Sequence, residues 1–176
     1  MAVLSSAGIA LPARGDSARS LEYRIKAAFI FNFTKFVQWP VDSFEDDNTP
    51  ITLGIIGNDP FGSILEETFE ERTAQGRKIV VERFDGIEQA SDCHLLFISD
   101  SQAKRLQHVF SKLDDLPILT IGEMEFFAQD GGIIGFYIRK NKVKFEINPE
   151  AAKSKRLKIS SKLLNLARIV QSNQGR

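Results

Sequence analysis

From Leu21 to Val37 apolar side chains recur three and four positions apart, at Leu21, Ile25, Ala28, Phe29, Phe33, Phe36 and Val37, which predicts an amphipathic helix. Ser20 stands where an N-cap is needed, and Trp39-Pro40 closes the segment because the residue before a proline is driven out of the helical region. The acidic stretch Asp42 to Asp47, followed by Asn48 and Pro50, has too few apolar residues to pack and reads as a surface loop. Ile51 to Gly57 is a short run rich in β-branched residues with proline and glycine at its borders, the pattern of a strand buried on both faces. A helix is predicted from about Asp59 to Thr73, and similar runs at Lys78 to Phe84, His94 to Ser99 and Pro117 to Ile121 alternate with helical or turn segments at Gly86 to Asp92, Ser101 to Leu113 and Glu123 to Gln129. Such alternation predicts a mostly parallel sheet flanked by helices, since parallel neighbours require a crossover between them.

The ending follows another rule. Gly135 to Arg139 and Lys142 to Asn148 alternate apolar and polar residues, with Phe136 and Ile138 on one face and Val143, Phe145 and Ile147 on a matching one. The short Lys140-Asn141 link makes them an antiparallel hairpin. Asn148 is placed to cap, Pro149 suits a first helical position, and Ile159, Leu163, Leu164, Leu166, Ala167 and Val170 predict one amphipathic helix closing the chain. The expected fold is α/β, a single domain over residues 21–171 with a mostly parallel sheet, flanking helices and an antiparallel C-terminal hairpin. A leader over 1–20 precedes it and a tail over 172–176 follows.

Composition narrows the function. The chain has 176 residues, enough for one core and few for two. Its 23 basic residues balance 23 acidic ones, so no long-range field gathers nucleic acid, and no nucleic-acid partner is expected. Fourteen phenylalanines against one tryptophan and two tyrosines favour apolar contact over catalysis. Cys93 is the single cysteine, which excludes an intramolecular disulfide and a thiolate metal cluster; at the start of a buried run it reads as structural. The first thirteen residues, MAVLSSAGIALPA, are uncharged and mix small with apolar residues. They read as the tail of a signal peptide lacking its basic region, with Gly8, Ala10 or Ala13 near the cleavage point, or as a disordered leader. No later apolar run approaches the roughly 20 residues that span a bilayer.

Candidate chemistry is sparse. Gly57, Asn58, Asp59 and Gly62 form a strand-to-helix turn whose N–H groups suit an anion, and Ser99 and Ser101 follow another strand at the same carboxyl edge, where open α/β sheets bind ligands. The spacing matches neither the P-loop nor the dinucleotide fingerprint, so a plain helix start capped by Asn58 or Asp59 is the competing reading. Neither H-E-x-x-H nor G-x-S-x-G occurs, and His94 and His108 read as ordinary neutral histidines; no catalytic residue, metal ligand or cofactor is assigned. Arg139, Lys140, Lys142 and Lys144, with Lys153, Lys155, Arg156 and Lys158, are the one basic concentration, either a solvated sheet face or a partner-binding patch. On the first helix Phe31 falls among Tyr23, Arg24, Ala27, Thr34, Lys35 and Gln38, the polar side. An aromatic there marks a contact surface or a second packed layer, and Trp39 adds another at the helix end. Phe31, Lys35, Trp39, Arg139, Lys142 and Lys144 are therefore the candidate partner-binding residues.

Three stretches carry a family likeness: KAAFIFNFTKFVQWP (Lys26 to Pro40), GGIIGFYIRKNKVKFEIN (Gly131 to Asn148) and LKISSKLLNLARIV (Leu157 to Val170). Together they resemble the YfiR family, and the NDPFG turn, the CHLLFIS strand and LTIG at Leu119 to Gly122 fit as well. The resemblance implies a periplasmic α/β protein, often dimeric, that represses an inner-membrane diguanylate cyclase by contacting its periplasmic part and that an outer-membrane lipoprotein can sequester. The output would be cyclic di-GMP and biofilm formation, with no catalysis by this chain. The sequence departs from the family pattern at three places. Cys93 lacks a partner thiol for a redox-sensing disulfide, Phe126 stands where relatives tend to have glycine, and Lys155-Arg156 replaces a small turn. The competing functional reading is a periplasmic small-molecule sensor using the carboxyl edge of the sheet.

Overall fold

The β-branched runs become the strands of one sheet, and the phenylalanine-rich first helix lies across it. The computed structural model describes residues 14–173; the leader sequence MAVLSSAGIALPA and its expected cleavage point lie outside them. Helix α1 spans Arg14–Phe36 and passes directly into β1, Val37–Gln38. β2 (Ile51–Ile56), α2 (Ile64–Phe69), β3 (Thr73–Ala74), β4 (Arg77–Phe84), β5 (Leu95–Ile98), α3 (Leu106–Lys112), β6 (Leu119–Gly122), β7 (Ile134–Arg139) and β8 (Lys142–Ile147) follow. The chain ends through α4 (Pro149–Ser154), β9 (Lys158–Ile159), α5 (Ser161–Leu164) and β10 (Arg168–Ile169). The eight-stranded sheet has the order β10-β8-β7-β6-β5-β2-β4-β3. Its five central strands, β7 to β4, are mutually parallel, while β3 runs antiparallel to β4 and β8 antiparallel to β7, with β10 parallel to β8 at the far edge. The fold is thus the predicted α/β domain, with its direction of winding reversed between β2 and β5.

Alternation along the strands divides the core in two. Ile51, Leu53, Ile55, Leu95 and Phe97 point to the face covered by α1 and α2, whereas Ile56, Leu96 and Ile98 point to the face covered by α3. On the α3 side Phe127 is fully buried against two glycines; a Cβ on Gly122 or Gly132 would come within 2.5 or 2.2 Å of its ring. That insertion makes Glu123 to Gln129 a turn, the second of the two forms expected for it. The hairpin forms as expected, with Lys140 and Asn141 both left-handed at φ 51° and 56°, as a two-residue turn of matching twist requires.

Two helical readings need correction. The buried stripe of α1 is Tyr23, Lys26, Ala27, Ile30, Phe33 and Thr34, while Leu21 and Ile25, predicted to face the core, are 60% and 39% exposed. The helix is seated from two sides. Phe29 and Phe33 meet Phe136 and Phe145 of the hairpin, and Tyr23 and Phe31 meet Phe61 and Phe69 around α2. The polar members of the stripe stay satisfied, for Thr34 Oγ1 donates to Phe31 O at 2.6 Å and Tyr23 Oη to Glu123 at 3.0 Å. The second correction is at the C-terminus, where the predicted single helix is broken into α4, β9, α5 and β10. Asn148 caps α4 with Pro149 in its first turn, as expected, but Arg156 adopts φ 60° and ends the run. Ile159 then pairs with Val37, and Ser160 caps a new short helix.

Candidate functional site

The β7–β8 hairpin is built as a rooted, charged finger. Its base is buried, with the Phe136 ring 5.8 Å from Phe33 and the Phe145 ring 5.2 Å from Phe29. Its outer end carries Arg139 opposite Lys142 and, one step back, Ile138 opposite Val143. Arg139, Lys140, Lys142 and Lys144 are exposed, and Ile138 is 51% exposed beside them. Among the described residues no carboxylate pairs with these four cations. On the same face as Arg139, Lys142 and Lys144, further toward the base, Arg168 lies 4.4 Å from the Tyr137 ring and pairs with the buried Glu146.

Phe31 and Lys35 lie elsewhere. The Phe31 ring is half-buried, 6.3 Å from Phe69, with the Arg72 guanidinium 5.2 Å and the Lys35 ammonium 5.6 Å above it. They face α2 at the β4 end of the sheet, so the structure brings Phe31 and Lys35 together and keeps both apart from the hairpin cations. Trp39 is corrected. It is 8% exposed, and its indole N–H donates to His94 O at 3.0 Å, because the turn at Pro40 folds the ring inward. It is a core residue.

His94 anchors that corner in one tautomer. The Thr52 N–H donates to Nδ1 at 3.1 Å, Nε2–H donates to Ser43 O at 2.9 Å, and the ring stacks on Phe44 with centroids 4.4 Å apart. Burial lowers its pKa below the ordinary histidine range. Next to it, burial pushes the Cys93 thiol up to about 12, so it is an inert packing group as the sequence suggested.

At the carboxyl edge Gly57, Asn58, Asp59, Gly62, Ser99 and Ser101 do converge where the winding reverses. Their polar groups are engaged with one another: Asn58 N–H donates to Ser101 Oγ at 2.9 Å, Phe61 N–H to Asp59 Oδ1 at 2.7 Å, and Arg83 to both Asp59 and Gly62 O. Ser99 caps the following turn at Ser101 N. Ser101 to Lys104 also has S-x-x-K spacing, but Lys104 is exposed and no hydrogen bond joins it to Ser101.

The sequence reading missed the buried charge beside this edge. Lys26 is 3% exposed, pairs with Glu22 at 2.5 Å and with Glu123, and lies 4.5 Å from the Tyr23 ring. With Asp100 and Phe136 these residues line a cavity of about 260 Å³. Burial and the Glu123 charge raise the Asp100 pKa. The available signal was Glu22 and Lys26, four apart on one helix, with Lys26 in step with Tyr23, Ala27 and Ile30.

Among the described residues no helix is long and apolar enough to cross a membrane, and no group of three or more His, Cys, Asp or Glu side chains is arranged to hold a metal ion. A search of curated proteins gives no match. Two solved structures share the fold. One is a conserved domain protein from Vibrio cholerae O1 biovar eltor str. N16961, with TM-score 0.57 and 10% identity over 84% of this chain and 59% of that one. The other is an ABC domain in complex with L-Trp from Streptococcus pneumonia, with TM-score 0.56 and 10% identity over 85% of this chain and 60% of that one. The chain thus spans about three-fifths of the length of each, and the likeness is one of fold alone. A family model of YfiR/HmsC-like proteins matches residues 23–168, from the buried stripe of α1 through the hairpin to β10, and the chain therefore belongs to the YfiR/HmsC-like family.

Proposed function

We propose that this protein is an exported regulator that restrains a membrane-bound diguanylate cyclase by contacting its periplasmic part, lowering cyclic di-GMP and with it biofilm formation. The observation that carries this reading is the family match across residues 23–168, since membership of a YfiR/HmsC-like family suggests a periplasmic regulator. The hairpin finger supports it. Uncompensated cations beside an exposed isoleucine suit an acidic, partly apolar surface on a membrane-anchored partner, and the same cations gain from anionic lipid nearby. Phe31 and Lys35 form a second, separate contact, for the partner or for another copy of the chain. An outer-membrane lipoprotein that competes for either surface would relieve the restraint.

The test is made in the native host. Removing the protein should raise cyclic di-GMP, and wild-type protein supplied to the periplasm should restore the low level. The triple variant Arg139→Glu, Lys142→Glu, Lys144→Glu should fold normally and bind the cyclase's periplasmic domain at least tenfold more weakly. Unchanged cyclic di-GMP on removal would sink the reading; a fully active triple variant would sink the finger as its contact.

A second reading, a sensor of small molecules at the carboxyl edge, is favoured by the cavity around Lys26 and Glu123. It is compatible with the first, since a ligand there would bias a contact made elsewhere.

A further inference from the structure

β4 is eight residues long, but its outer neighbour β3 has two residues and pairs only with Lys78 and Arg77. From Ile79 to Phe84 the strand is bonded to β2 in unbroken register, and among the described residues its other edge meets no strand. The side on which each residue bonds follows from alternation. The carbonyls of Thr52 and Ile56 in β2 are taken by amides of His94 and Ser99 on the β5 side, so Leu53 and its odd-numbered neighbours bond toward β4. In a parallel ladder this leaves the N–H and C=O groups of Ile79, Val81 and Arg83 on the outer edge. An unpaired row of this kind is a template for one more strand. The edge carries no proline, and its register with β2 has no bulge.

Beside the edge, between β4 and α2, runs a groove of about 690 Å³. Phe69, Ile79 and Val81 give it an apolar lining, and Glu66, Glu67, Glu70 and Glu71 give it a mostly acidic rim; the two cations of the lining, Lys78 and Arg72, stand at its β3 end, Arg72 drawn over the Phe31 ring. Glu66 is matched by Arg83 at 2.6 Å and Glu67 by Arg24 at 3.2 Å, whereas Glu70 and Glu71 form no ion pair among the described residues. On the opposite face of β4, exposed Glu82 is unpaired in the same sense.

The geometry points to strand addition: the β4 edge binds an extended segment of another protein, in which apolar side chains alternate with lysine or arginine. The apolar set lies on Phe69, Ile79 and Val81, the basic set reaches Glu82, and a basic end meets Glu70 and Glu71. Main-chain bonds to Ile79, Val81 and Arg83 supply affinity, and alternate side chains supply selectivity. A second copy of this chain is a poor occupant. Antiparallel pairing about Val81 sets Ile79 opposite Arg83 and Val80 opposite Glu82, and pairing about Glu82 opposes two carboxylates. The inference stands whether or not the partner is a cyclase.

The probe is a fluorescein-labelled peptide of five Val-Lys repeats, with five Val-Glu repeats as the control, titrated against the full chain by fluorescence anisotropy. The Val-Lys peptide should bind at least tenfold more tightly than the control and should slow amide exchange at Ile79, Val81 and Arg83. Val81→Pro removes one outward donor and leaves the β2 ladder intact, so it should reduce binding at least tenfold with little change in Tm. Should that variant unfold, the double variant Glu70→Lys, Glu71→Lys decides: it should weaken Val-Lys binding and strengthen Val-Glu binding. Equal binding of both peptides, or binding indifferent to these substitutions, overturns the proposal. So does a wild-type dimer in sedimentation that Val81→Pro converts to monomer, since the edge would then belong to a second copy.

Discussion

Phe126 occupies a conformation that its side chain resists. Its φ is +61° and its ring is 55% exposed, so it carries left-handed strain and gains little burial in return. Glycine, which has no Cβ, would adopt this backbone without that strain. Phe126→Gly should stabilise the domain by about 1 kcal/mol, read as a Tm higher by about 2–4 °C; an unchanged or lower Tm would mean that the ring has an anchoring contact. His94 sets a pH limit of its own. Its folded pKa lies below the ordinary 6.5, so the unfolded chain takes up a proton that the folded chain refuses. The stability this histidine provides is complete above about pH 6.5 and declines as pH falls from there through the folded value. Thermal melts should show that decline, and His94→Gln, which keeps a donor and an acceptor but cannot titrate, should flatten it. A variant as steep as the wild type would shift the cause to the carboxylates.

At the scale of elements the strands were legible and the helices only partly so. Ile51 to Ile56 and Leu95 to Ile98 are apolar on both faces, and no other environment suits such runs. The first helix misled because its buried stripe includes Tyr23, Lys26 and Thr34, whose partners at Glu123 and Phe31 O are tertiary or local bonds that apolar periodicity does not register. The closing helix misled because 3.6-residue spacing runs across Arg156, whose left-handed backbone no propensity announces. The basic finger was legible from charge alternation. The open edge of β4 was not, since it depends on where β3 stops. Asn148, itself fully buried, joins three segments at once: Oδ1 accepts from Ala151 N–H at 3.0 Å, and Nδ2 donates to Ala128 O at 2.8 Å and Ser172 Oγ at 2.9 Å. Asn148→Ala loses a cap and strands a buried carbonyl, a destabilisation of about 3 kcal/mol by chemical denaturation. A cost under about 1 kcal/mol would show that these bonds are replaced by water.

Over the whole molecule, the two cores share one sheet, and α1 is the lid of the larger one. That lid is fastened late in sequence, since Val37 pairs with Ile159, and Leu157 and Leu163 belong to the core that α1 covers. A chain ending at Arg156 should therefore keep its strand-forming runs yet lose fixed side-chain packing, visible as a vanished near-ultraviolet dichroism signal; a cooperative melt of that truncated chain would disprove it. The pairing also sets a timetable for biogenesis. Synthesis delivers α1 more than a hundred residues before its clasp, so until Leu157 to Leu163 have emerged the lid can be laid on the sheet but not fastened. On the export route proposed above, that delay would keep the polypeptide unfolded while it waits to cross and reserve closure for the far side.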